Sequence, residues 1–203
     1  MVELTKNQKE IIELFRNNIF LKETILQLMK ILKKKSYQRV YEAVKILERK
    51  DILLISKIGN SSLVGLAKTE ETAIIFAYIE EKEAMSKKIP YILELLNIPE
   101  LSDDILIISG SYAKGTPTKK SDLDFVVITK ENAFKKSKII ENRTLTFHPE
   151  IHPMVFTQKD FIDMLLSKEH NFGKEIFKNH IILKNARRYY EIIFHAIKNG
   201  FTY

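Results

Sequence analysis

A chain of 203 residues with 45% hydrophobic content has apolar material for one large domain or two small ones, which excludes both a disordered tail and a miniprotein. It contains no cysteine, so disulfides, thiolate metal sites and cysteine nucleophiles are excluded. A formal net charge of +7 points to polyanions such as DNA, RNA or nucleotides, to an acidic partner, or to a lysine-rich solvated surface, and composition does not choose among them.

No stretch approaches the ~18 uncharged apolar residues of a membrane span. The opening MVELTKNQKEIIELF is charged at helical spacing and lacks the apolar centre of a secretory leader. The expectation is a cytoplasmic protein with no membrane partner.

In chain order, Ile11, Ile12, Leu14 and Phe15 lie on one helical stripe, and Ile25, Leu28, Met29 and Leu32 form a second. A third helix follows Ser36, a candidate N-cap, with Val40, Val44 and Leu47 facing inward. Its first turn leaves Tyr37, Gln38, Arg39 and Tyr41 pointing outward or sideways. The next segment, ILLISKIGNSSLVGLA, has two apolar, β-branched runs joined by GNSS and predicts a β-hairpin. This order of elements resembles a winged helix-turn-helix. The resemblance implies that the third helix reads double-stranded DNA, using Tyr37, Gln38 and Arg39, and that the hairpin is a wing carrying Lys57. Lys33, Lys34, Lys35, Arg39, Arg49 and Lys57 surround this surface and suit phosphate contacts. A small helical domain that dimerises or packs on its neighbour is the alternative.

Residues 69–100 predict a connecting helix that kinks or breaks near Pro90, which removes a backbone donor and disfavours helix at Ile89. The division expected is 1–68, the DNA-binding module; 69–100, the connector; and 101–203, a second α+β module.

The chemistry is concentrated in ISGSYAKGTPTKKSDLDFVVI, residues 108–128. An apolar strand over 105–108 runs into Gly110 and Ser111, and a polar segment leads to a second strand. Side chains alternate along a strand, so Asp122 and Asp124 share one face while Leu123 and Phe125 take the other. Carboxylates about 7 Å apart along the backbone can converge on one cation, and without it they repel. All-oxygen ligands suit Mg²⁺, which commonly bridges a few carboxylates to substrate phosphates. Gly110 and Ser111 are placed to hold phosphate oxygens, Gly115 to allow the turn, and Ser121 to orient Asp122 or touch phosphate.

On Gly110, Ser111, Gly115, Ser121, Asp122 and Asp124 the sequence resembles the nucleotidyltransferase superfamily with a DNA polymerase β-like palm. With the front module included, it is similar to small archaeal nucleotidyltransferases that carry an N-terminal winged helix. The resemblance implies an α/β palm with C-terminal helices, a nucleoside triphosphate substrate with ATP as the default donor, and transfer of a nucleoside monophosphate to a hydroxyl acceptor. Some such proteins act as antitoxins that transfer AMP to a partner toxin, which makes a protein acceptor one expectation. The family's third carboxylate, a general base or metal ligand, is expected at Glu150, with His152 on the same face as the alternative. Pro149 and Pro153 suit an edge strand there. A homodimer on paired half-sites is expected of the DNA-binding module. Two rival readings stand beside the enzyme: a DNA-binding regulator whose second domain senses nucleotide or is inactive, and an antitoxin-like interaction protein.

Overall fold

Side-chain capping starts the first helices. The computed structural model describes residues 4–59 and 61–203. In it Thr5 precedes α1 (Lys6–Asn17) and accepts from the Gln8 N–H at 3.4 Å, while Gln8 Oε1 accepts from the Thr5 N–H at 2.9 Å. This reciprocal pair satisfies two otherwise orphaned donors. Thr24 and Gln27 repeat the device ahead of α2 (Ile25–Ile31). Between the two helices Lys22–Glu23 forms a short strand, β1, which no apolar pattern announces. Ser36 caps α3 (Tyr37–Arg49) as expected, accepting from the Arg39 N–H at 3.4 Å.

Ile11, Ile12, Phe15, Leu28, Val44 and Leu47, from the stripes read in the sequence, are fully buried, while Leu14, Met29 and Leu32 of the same stripes are partly buried. Burying such a side chain contributes roughly 1.5–3 kcal/mol. β2 (Leu53–Ile58) and β3 (Ser61–Leu66) form the hairpin, and β1 adds to β3 to give an antiparallel sheet of order β1-β3-β2. Ile58 pairs with Ser61, so the link is two residues long and Ser61 and Ser62 already belong to the strand. Gly59 takes the positive φ of +59° that such a link requires, and Asn60 lies outside the described residues.

These elements make up one unit, reaching Ile74 and including Thr202 and Tyr203; Ile75–Phe201 make up the other. The division falls inside α4 (Glu70–Ser86), which ends four residues ahead of Pro90. A separate short helix, α5 (Ile92–Leu96), follows, so the chain breaks here instead of kinking.

The second unit continues through a 3-10 turn (Pro99–Leu101), β4 (Ile105–Ile108), α6 (Gly110–Lys114), β5 (Leu123–Thr129), α7 (Ala133–Thr144) and β6 (Ile151–Thr157). It is completed by α8 (Gln158–Leu166), α9 (Phe172–Lys178), β7 (Ile181–Lys184) and α10 (Ala186–Lys198). Its sheet has the order β6-β5-β4-β7. β5 and β6 are parallel, which requires a crossover, and α7 supplies it; the other pairs are antiparallel. β6 is an edge strand containing Pro153, whose missing N–H is tolerated there.

Both faces of this sheet are covered. Leu106, Ile108, Leu123, Phe125 and Val127 belong to one apolar cluster with Leu95, Leu101 and Ile140. Ile105, Ile107, Val126 and Ile128 are also fully buried, with α8 packing on β5 and α10 on β4. The architecture is mixed α+β with two sheets. Among the described residues no helix is long and apolar enough to cross a membrane.

Two buried polar groups pin the second unit. Tyr190 donates to Glu80 Oε1 at 2.7 Å, and burial first and the Glu80 charge second push the neighbouring Tyr189 phenol well above its ordinary pKa. Asp104 is 2% exposed and accepts from Lys136 Nζ at 2.6 Å. Lys136→Ala leaves that carboxylate buried without its cation, and the expected loss is about 3 kcal/mol. Urea unfolding of the variant checks this; an unshifted midpoint would show that water satisfies Asp104 instead.

Candidate functional site

The site is built where β4 ends and β5 and β6 begin. The chain leaves β4 at Ser109 and turns into α6, with Gly110 at φ +63°. A Cβ added at Gly110 would lie 1.9 Å from Asp124 Oδ2 and 2.9 Å from its Cγ. The Asp124 carboxylate therefore rests on the glycine backbone. The sequence places Gly110 to hold phosphate oxygens, and its missing side chain also makes room for Asp124.

Gly115 ends α6 at φ +72°, with nothing within 4 Å of an added Cβ, so its role is conformational. The loop after it is closed by Ser121, whose Oγ accepts from the Thr118 N–H at 2.9 Å and lies 3.1 Å from Thr118 Oγ1. The Ser121 hydroxyl thus braces the turn that delivers Asp122. Lys119 and Lys120 are exposed along this loop, and Lys114 is exposed at the end of α6.

Asp122 is exposed just ahead of β5, and Asp124 is the second residue of the strand. Leu123 and Phe125 are fully buried in the apolar cluster, so alternation turns both aspartates to the opposite face. The Leu123 N–H donates to the Glu150 carbonyl at 2.9 Å, and the parallel register sets Asp124 beside His152. Continued by one pair of residues, the register sets Asp122 across from Glu150. The Asp124 side chain is 29% exposed and His152 is 65% exposed; His152 Nδ1 lies 3.4 Å from Asp124 Oδ1.

Asp124 and His152 are in direct contact, while Glu150 is exposed ahead of β6. Among the described residues no three His, Cys, Asp or Glu side chains are gathered closely enough to hold a metal ion by themselves. The donor set nevertheless fits a hard divalent cation that completes its shell elsewhere. Two carboxylates share a strand face, one is bedded on Gly110, and the remaining positions are left to substrate and water oxygens.

In the first unit Tyr37, Gln38 and Arg39 are exposed on the first turn of α3. The Tyr37 and Tyr41 rings stack at 6.3 Å, and Gln38 Nε2 donates to Glu42 Oε1 at 2.9 Å. Lys57 is exposed on β2 opposite Ser62. Lys34, counted with the basic residues of this surface, is paired with Glu10.

Sequence reasoning passed over Ser109. It is buried beside Gly110, and its hydroxyl has no hydrogen-bond partner among the described residues. Its signal was a polar residue closing the apolar run Ile105–Ile108.

Residues 102–188 match the family described as Polymerase beta, Nucleotidyltransferase. The matched span holds Gly110, Ser111, Gly115, Ser121, Asp122, Asp124 and Glu150, and it supports the nucleotidyltransferase superfamily for this part of the chain. No curated protein and no solved structure matches significantly.

Proposed function

We propose that the second unit transfers a nucleoside monophosphate, AMP from ATP by default, to a hydroxyl acceptor, and that the first unit is a winged helix that binds double-stranded DNA. The observation that carries the enzymatic reading is the bedding of Asp124 on Gly110 inside the family-matched span, which ties the Gly-Ser turn and the Asp-x-Asp strand into one site.

Asp122 and Asp124 would hold Mg²⁺, which when bound neutralises the triphosphate and makes its α-phosphorus more electrophilic. The backbone N–H groups of Gly110 and Ser111, in the first turn of α6, have no intrahelical acceptor and are available to phosphate oxygens. Lys119 and Lys120 offset further phosphate charge. The acceptor oxygen bonds to the α-phosphorus as the bond to the β-phosphate bridging oxygen breaks, and pyrophosphate leaves. The acceptor's proton passes to Glu150, set across from Asp122, or to His152 beside Asp124.

The assay is incubation of the purified chain with Mg²⁺ and ATP labelled at the α-phosphate, with and without host lysate. Label on a macromolecule or small acceptor is expected, and its chemistry identifies the acceptor, a partner protein included. No label under any condition would remove the enzymatic reading.

The DNA-binding reading is supported by the order of three helices and a hairpin, with Arg39 on α3 and Lys57 on the hairpin both exposed. Arg39→Ala with Lys57→Ala is expected to weaken binding to duplex DNA and to reduce the slope of log K against log salt by about 2, at ~0.9 per phosphate contact. An unchanged slope in a fluorescence titration would separate these residues from DNA.

One observation favours a second reading. Glu150, the candidate third acid, is exposed ahead of β6, and among the described residues no three His, Cys, Asp or Glu side chains form a metal-holding group, which suits a DNA-binding regulator whose second unit senses nucleotide without turning it over. Mg²⁺-dependent ATP binding without label transfer would favour that regulator.

A further inference from the structure

Ser109 is 2% exposed, and among the described residues its hydroxyl finds no hydrogen-bond partner. It precedes α6 in the N-cap position, yet its side chain makes no capping bond. A buried hydroxyl without a partner destabilises the folded state, so its presence calls for a role. The Ser109 N–H donates to the Asp124 carbonyl at 3.0 Å, which extends the Ile108–Phe125 register by one pair and sets Ser109 opposite Asp124. Opposed residues of an antiparallel ladder project from the same face. The unused donor and the candidate metal-binding carboxylate are therefore cross-strand neighbours.

We propose that Ser109 is a positioning residue for Asp124, its hydroxyl donating to one carboxylate oxygen when Asp124 turns to hold the divalent cation. The proposal rests on the nucleotidyltransferase reading of the site. Donation to one oxygen leaves the other directed at the cation, which is how outer partners fix the aim of a ligating carboxylate. The Asp124 carboxylate already lies on Gly110, the next residue along from Ser109. The donated bond would give the buried hydroxyl the acceptor it lacks among the described residues.

This gives Ser109→Ala opposite signs in two measurements on the full chain. Without metal, deleting an unsatisfied group leaves the Tm unchanged or raises it by about 2 °C. Titration with Mn²⁺ alone, followed by the EPR signal of the free ion, should show affinity about tenfold weaker than in the parent chain. Ser109→Thr, which keeps the hydroxyl, should recover most of that affinity even where its extra methyl lowers the Tm. Parent-like Mn²⁺ affinity in Ser109→Ala, with binding abolished in Asp124→Asn, would overturn the role of Ser109 and leave the metal site standing. A Tm several degrees lower in Ser109→Ala would overturn it too, since the hydroxyl would then be a structural bond. Failure of the parent chain itself to bind Mn²⁺ would overturn the metal reading, and the proposal with it.

Discussion

Asp122→Asn and Asp124→Asn, made together, are expected to lower Mg²⁺-dependent nucleotidyl transfer by about 10³-fold while leaving the protein as stable as the parent or more so. The loss follows from removing both charged ligands of the proposed cation, whose neutralisation of developing charge is worth several kcal/mol at ~1.4 kcal/mol per factor of ten. The sign on stability follows from position. Asp122 is exposed and Asp124 is partly exposed, and neither supports the apolar cluster that holds Leu123 and Phe125. Like charges on one strand face disfavour each other wherever no cation lies between them, so neutral amides of the same shape are not expected to weaken the fold. Rates from α-phosphate label transfer and Tm by circular dichroism check both halves. Undiminished transfer would sink the metal platform, and a large drop in Tm would make the pair structural.

That pair was legible in the sequence because two local rules agree. The run Phe125–Ile128 reads as a buried strand, and the period of two puts both aspartates on one face whatever the strand pairs with. The three helices of the first unit were legible for a similar reason, since buried residues recur at helical spacing and Ser36 caps the third; the caps at Thr5 and Thr24 are seen in the structure. β1 was not legible, because two polar residues carry no period and become a strand only through pairing with Val64 and Gly65. β7 is four residues long, too short for alternation to separate Ile181 and Ile182 from general packing. The placement of His152 beside Asp124 depended on β6 pairing in parallel with β5, a tertiary fact set by the α7 crossover. The end of α4 at Ser86 shows a further limit: Pro90 marks where a helix cannot continue, not where it stops.

Gly110→Ala and Gly115→Ala separate conformation from contact. Both positions have positive φ, +63° and +72°, and forcing alanine into that region costs roughly 1–2 kcal/mol at either. At Gly115 the new methyl meets nothing within 4 Å, so conformational strain is the whole effect. At Gly110 it would lie 1.9 Å from Asp124 Oδ2, and the carboxylate must leave its place. Both variants are expected to lose comparable stability from strain, with an added loss at Gly110. Gly110→Ala alone should cost transfer about 10²-fold, the scale of misplacing a catalytic group by an ångström. Combining Gly110→Ala with Asp124→Ala removes the overlap, so the double variant should be more stable than the sum of the single effects predicts, by about 0.5–3 kcal/mol. Additive stabilities, or equal losses of transfer at the two glycines, would mean that Gly110 shapes the turn and does not seat Asp124.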